Sequence, residues 1–74
     1  MRMHFIGADP LGGPAMVWVD LDTGGIIIKG LKALPEDLRA VPPPGSEALE
    51  LPDRMKPILL EAAEFSASLG LDRD

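Results

Sequence analysis

Apolar residues run from Ala15 to about Leu21, broken by Asp20, and a second apolar run, Ile26-Ile27-Ile28, follows a turn-forming stretch. Val17 and Val19 point one way and Met16 and Trp18 the other, the period of two of a β-strand. Between the runs, Leu21-Asp22-Thr23-Gly24 suits a type I turn with Gly24 in the left-handed conformation. The pattern predicts a β-hairpin over about 15–31. In the three-residue-loop register, Trp18 faces Ile28 and Val19 faces Ile27. Trp18, Ile28, Asp20 and Ile26 then share one face, and Val17, Val19, Ile27 and Lys29 the other. Both faces of the hairpin centre are apolar, so one is expected to pack on a helix and the other to meet a partner. Val17, Trp18, Val19, Ile26, Ile27 and Ile28 are the candidates for core or partner interface.

Upstream, His4 to Ile6 reads as a short strand stopped by Gly7, and "GADPLGGP" reads as a loop because Gly and Pro punctuate the backbone. Downstream, "ALPEDLRAV" predicts a short helix at about 35–41. Pro35 suits its first position, and Glu36 and Asp37 complement its dipole. "PPPG", residues 42–45, is a rigid extended connector. "EALEL" alternates Ala48 with Leu49 and Leu51, a pattern that suits either a further strand or an extended linker. A packed C-terminal helix is predicted at about 54–69, because Met55, Ile58, Leu59, Ala62, Phe65 and Leu69 fall on one stripe. Pro57, which has no N–H to donate, is expected either to lie in its first turn or to kink the helix. Gly70-Leu71 suits a Schellman stop, with Leu71 folding back towards Phe65. The expected architecture is α+β: one small domain over residues 1–74, a small antiparallel sheet built on the hairpin, with two helices.

At 74 residues the chain has room for one domain, which buries only about 60% of its unfolded surface. It has no cysteine and one histidine, so neither disulfides nor a Cys/His zinc site reinforces it. A hydrophobic fraction of 46% is too high for a chain disordered throughout. Phe5, Trp18 and Phe65 are the three aromatics, and Trp18 is expected to be the core anchor, an interface hot spot being the competing role. The formal net charge of −5, with no run of Lys or Arg, argues against direct nucleic-acid binding. It suits a partner with a basic face. Neither a targeting signal nor a run of about 20 apolar residues is visible. Together with the lack of cysteine, this leads to an expected cytoplasmic location.

Candidate chemistry is sparse. Asp20 and Asp22 match the first and third positions of a calcium loop, but Gly24 and Leu31 fall where ligands are required, so the segment reads as a hairpin turn. Gly12-Gly13 and Gly24-Gly25 lack the Lys-Ser/Thr of a phosphate loop. His4, with Asp9 as a conceivable metal partner, reads as structural. Ser46, Ser66 and Ser68 lie in no nucleophile elbow. Glu61 and Glu64 sit on a solvent-facing stretch of the helix. No catalytic residue, metal site or cofactor is implied.

"MHFIGADP", "VWVD…TGG…IIIKGLK" and "LELPDRM" resemble a group of small actinobacterial proteins encoded beside XRE-type helix-turn-helix regulators. The chain departs from that pattern at Leu31, where the pattern has an aromatic, and in its "VPPPG" stretch. The resemblance implies a non-enzymatic partner that binds and tunes a DNA-binding protein, in an antitoxin-like or toxin-like pair. The interaction module is expected to dock on such a regulator or on a copy of itself, as a homo-oligomer, and the alternative expectation is an accessory subunit of a larger enzyme or structural assembly.

Overall fold

The structure, a computed structural model, describes residues 2–39, 41 and 43–70. Its centre is a three-stranded antiparallel sheet in the order β1-β2-β3, made of Met3–Ala8, Met16–Asp20 and Ile26–Lys29. A two-stranded ladder, β4 (Leu31–Lys32) with β5 (Leu49–Glu50), continues from it. Between β4 and β5 lies a one-turn helix, α1 (Pro35–Leu38). After β5 a 3-10 turn, Asp53–Met55, leads into α2, Lys56–Ser68. The class is α+β, as the sequence predicts.

β1 runs longer than His4–Ile6. A bulge between Phe5 and Gly7 absorbs one residue, and the strand resumes pairing at Gly7↔Val17 and Ala8↔Met16. Gly7 therefore continues the strand instead of stopping it. β2 becomes the central strand, with β1 on one side and β3 on the other.

The hairpin is present, but one residue out of the predicted register. Trp18 pairs with Ile27, Val19 with Ile26 and Val17 with Ile28. The Asp20 N–H donates to the Gly25 carbonyl at 2.8 Å, so four residues, Leu21 to Gly24, form the loop instead of three. Gly24 has φ 78°, the left-handed conformation expected of it. Side chains alternate with period two, so the single-residue slip moves every isoleucine of β3 to the other face. Val17, Val19, Ile26 and Ile28 now share the side facing α2. Trp18 and Ile27 share the opposite one.

α2 lies over β2 and β1 and reaches β3 less. Ala15, Val17, Val19, Met55 and Ala62 are fully buried, with Ile6, Leu51, Ile58, Leu59, Phe65 and Leu69 packed around them. Burying Val17, Val19 and Met55 contributes about 1.5–3 kcal/mol each. The predicted helical stripe thus meets the sheet along its whole length, while Glu61 and Glu64 stay exposed. Pro57 stands at the second helical position, where a missing N–H costs nothing. Gly70 takes φ 66°, and its N–H reaches the Ala67 carbonyl at 3.3 Å. The predicted fold-back of Leu71 lies outside the described residues.

α1 is shorter than predicted. It ends at Leu38 because Arg39 turns to φ 55°, and Val41 is non-helical and 84% exposed. Ala40 and Pro42 lie outside the described residues. The connector is not straight throughout: Ser46 donates both its N–H and its hydroxyl to the Pro43 carbonyl, and Gly45 turns the chain with φ 84°.

Candidate functional site

On the helix-free face of the sheet, one cross-strand row consists of Phe5, Trp18 and Ile27. The rings of Phe5 and Trp18 meet edge to face, with centroids 6.0 Å apart at 65°. Such a pair stabilises by about 0.5–1.5 kcal/mol beyond its buried area. Ala8, Met16 and Lys29 form the adjacent row, and Met3 stands opposite Asp20 at the other end. Phe5 is 48% exposed and Met3 52%, while Trp18, Met16 and Ile27 are half-buried. Asp20 does not turn its charge onto this face: its Oδ1 accepts the Asp22 N–H at 2.8 Å within the hairpin turn. The result is an apolar, aromatic patch with one cation, Lys29, at its border.

The six candidate residues therefore divide. Val17 and Val19 are core. Trp18 and Ile27 lie on the helix-free face, where Trp18 is not the expected core anchor: the largest fully buried side chains are Met55, Val17 and Val19. Ile26 and Ile28 point towards α2 but remain 44% and 37% exposed, because β3 is an edge strand at the margin of the helix.

A second feature escaped the sequence reading. Asp9, in the "GADPLGGP" loop, accepts the Arg54 guanidinium through Nε at 2.6 Å and through Nη2, and also the Leu11 N–H at 2.9 Å. Its side chain has no exposure to solvent, while that of Arg54 is 42% exposed. The hydrogen bonds from Arg54 first, then that from Leu11, hold the Asp9 carboxyl below the usual carboxylate value, and the same contact raises Arg54. Gly13 is required beside it: a Cβ there would lie 2.3 Å from Asp9 Oδ2. Forty-five residues separate the partners, and the pair clamps the β1–β2 loop to the 3-10 turn that delivers Met55 to the core.

The Asp9 carboxylate is occupied by Arg54, and the His4 ring stacks on Phe65 of α2, with centroids 4.5 Å apart at 15°. Among the described residues no group of three or more His, Asp or Glu could hold a metal ion. Asp22, the other calcium candidate, bonds Arg2 through Nε at 2.8 Å, and that hydrogen bond lowers its pKa.

An open hollow of about 230 Å³ lies between Lys32–Ala33 and the turn at Pro43–Ala48. It is below the ~300 Å³ at which small-molecule sites usually begin, and the Lys32–Glu47 ion pair, 3.6 Å, spans its lining. No helix among the described residues is long and apolar enough to cross a membrane. No family model, curated protein or solved structure matches the chain.

Proposed function

We propose that this chain is a non-enzymatic protein-interaction module that receives its partner on the helix-free face of the sheet, over Phe5, Trp18 and Ile27. The observation that carries this reading is the half-exposed Phe5–Trp18 pair beside Met3, Met16 and Ile27, on a face that α2 does not cover. Aromatic residues and methionine are the types enriched at the centres of protein interfaces. A flat sheet face with a single border cation suits a folded partner's apolar surface better than a small polar ligand.

The proposed partner is a transcription regulator of the helix-turn-helix type. Two things support that choice: the resemblance of the β1, hairpin and "LELPDRM" segments to proteins paired with such regulators, and the charge. A DNA-binding domain is basic, and a chain of net charge −5 is attracted to it before contact. Capture from the native host with the tagged chain, followed by mass spectrometry, tests the reading. A helix-turn-helix protein is expected in the captured fraction, lost with Trp18→Ala or Phe5→Ser and retained with Glu64→Gln. Recovery of an enzyme or assembly component instead, or capture indifferent to both aromatic changes, would overturn it.

A further inference from the structure

The chain has no cysteine, so its four methionines carry all of its sulfur. The fold separates the three that lie among the described residues. Met55 is fully buried in the core. Met3 and Met16 stand instead on the helix-free face, 52% exposed and half-buried respectively. Met3 pairs with Asp20 at one end of the β1–β2 ladder, and Met16 pairs with Ala8 at the other. Each stands two residues before a ring of the edge-to-face pair, Met3 before Phe5 and Met16 before Trp18, and so on the same face. The two thioethers bracket the aromatic pair from opposite ends.

We propose that Met3 and Met16 make the docking face sensitive to oxidation, so that hydrogen peroxide releases the partner that the reduced face holds. The inference deepens the reading of this face as the docking surface and rests on it. In the step, the thioether sulfur takes one oxygen atom from the peroxide. An S–O bond forms and the O–O bond breaks; the sulfur gives up two electrons, and the peroxide is reduced to water. The product replaces a flexible apolar side chain with a polar one. Methionine sulfoxide reductases return the thioether, so the change is reversible.

The neighbours of the two sulfurs decide how much each contributes. A sulfoxide oxygen beneath a partner's apolar surface loses its water and needs a donor in exchange. Met16 has one within its row, because Lys29 pairs with it across the β2–β3 ladder. Met3 has none opposite it: Asp20 offers a carboxylate, whose Oδ1 already accepts the Asp22 N–H. Met3 is also the more exposed, and exposure governs how readily a methionine is oxidised. It is therefore the principal switch, with Met16 the lesser one. Methionine has a second use at interfaces, as an adaptable apolar contact, and the experiment separates the two roles.

The tagged chain is treated with dilute hydrogen peroxide, freed of it, and used for capture from native-host extract beside an untreated sample. Peptide mass mapping is expected to find Met3 oxidised first, Met16 next and Met55 unmodified. Capture of the Trp18-dependent protein should fall about tenfold or more, with thermal unfolding unchanged, and return after treatment with the reductases. In Met3→Leu, measured against its own untreated sample, most of the peroxide effect should disappear, and in Met16→Leu a smaller part. Four results would each overturn the inference and leave the docking reading intact: Met55 oxidised as fast as Met3, capture indifferent to peroxide, capture lost only where the chain unfolds, or a peroxide effect undiminished in the Met3→Leu/Met16→Leu variant. If the untreated chain captures no Trp18-dependent protein, the docking reading itself fails, and this inference with it.

Discussion

Val17 and Val19 are sealed beneath α2, whereas Met16 and Trp18, their immediate neighbours in the chain, lie half-buried on the opposite face of the same strand. Both faces are apolar, and composition does not distinguish them. What distinguishes them is the object packed on each: a helix with a matching stripe on one, a single layer of side chains on the other. Size of side chain is a poor guide here. The tryptophan went to the open face and the valines to the closed one, because the closed face needs shapes that fit under Ile58, Ala62 and Phe65.

The comparison is broken most severely by removing the covered side. Met55→Ala is expected to destabilise the fold by about 2–5 kcal/mol, since it empties a fully buried volume between helix and sheet. Urea denaturation at unchanged m-value would read it. Trp18→Ala should cost less, about 1–2 kcal/mol, mostly from its contact with Phe5. A loss of 3–5 kcal/mol, the value for a buried aromatic, would show that the open face is core after all. The two denaturation curves therefore rank the faces directly.

A smaller effect sharpens the account of how the closed face is assembled. The Asp9 pKa is lowered in the folded state by Arg54 and Leu11, so the folded form favours the carboxylate. The stabilisation from that preference is present in full above the unfolded value of about 3.9, and is lost as pH falls through the lower folded value. Acid unfolding is thus expected to include an Asp9 contribution below about pH 4, reduced in Asp9→Asn, and followed by circular dichroism across the acid range. Arg2–Asp22 has the same sign, but its side chains are 71% and 46% exposed, so solvent screens it and its share is smaller.

Much of this molecule was legible in the sequence, and the exceptions have physical causes. The stripe from Met55 to Leu69 could be read because a helix repeats its environment every turn. The strands of the hairpin could be read for the same reason, with period two. The register could not. It depends on whether the turn holds three residues or four, a difference settled by the Asp20–Gly25 hydrogen bond and invisible in a run, Val17 to Val19, that is apolar on both faces. Asp9 and Arg54 were missed because each looks ordinary locally, one in a Gly/Pro loop and one before a helix. The small residues around Asp9, Gly12 and Gly13 were the available signal. As for Trp18, its size suggested burial, but size sets how much a residue gains when covered and does not say what covers it.

The order of the sheet has a kinetic consequence. β1, β2 and β3 are neighbours in space in the order they occupy in the chain, so each pairing closes a short loop. Docking of α2 is different, because it must close the whole excursion from Lys29 to Asp53, and the Ser66 hydroxyl finds the Gly24 carbonyl only then. The meander is accordingly expected to form early and the helix to arrive late, leaving Val17 and Val19 wet in the interval. Read in reverse, the helix is the first unit to leave. The amides of α2 should exchange with solvent through a local opening cheaper than global unfolding, and those of the central strand only through the whole.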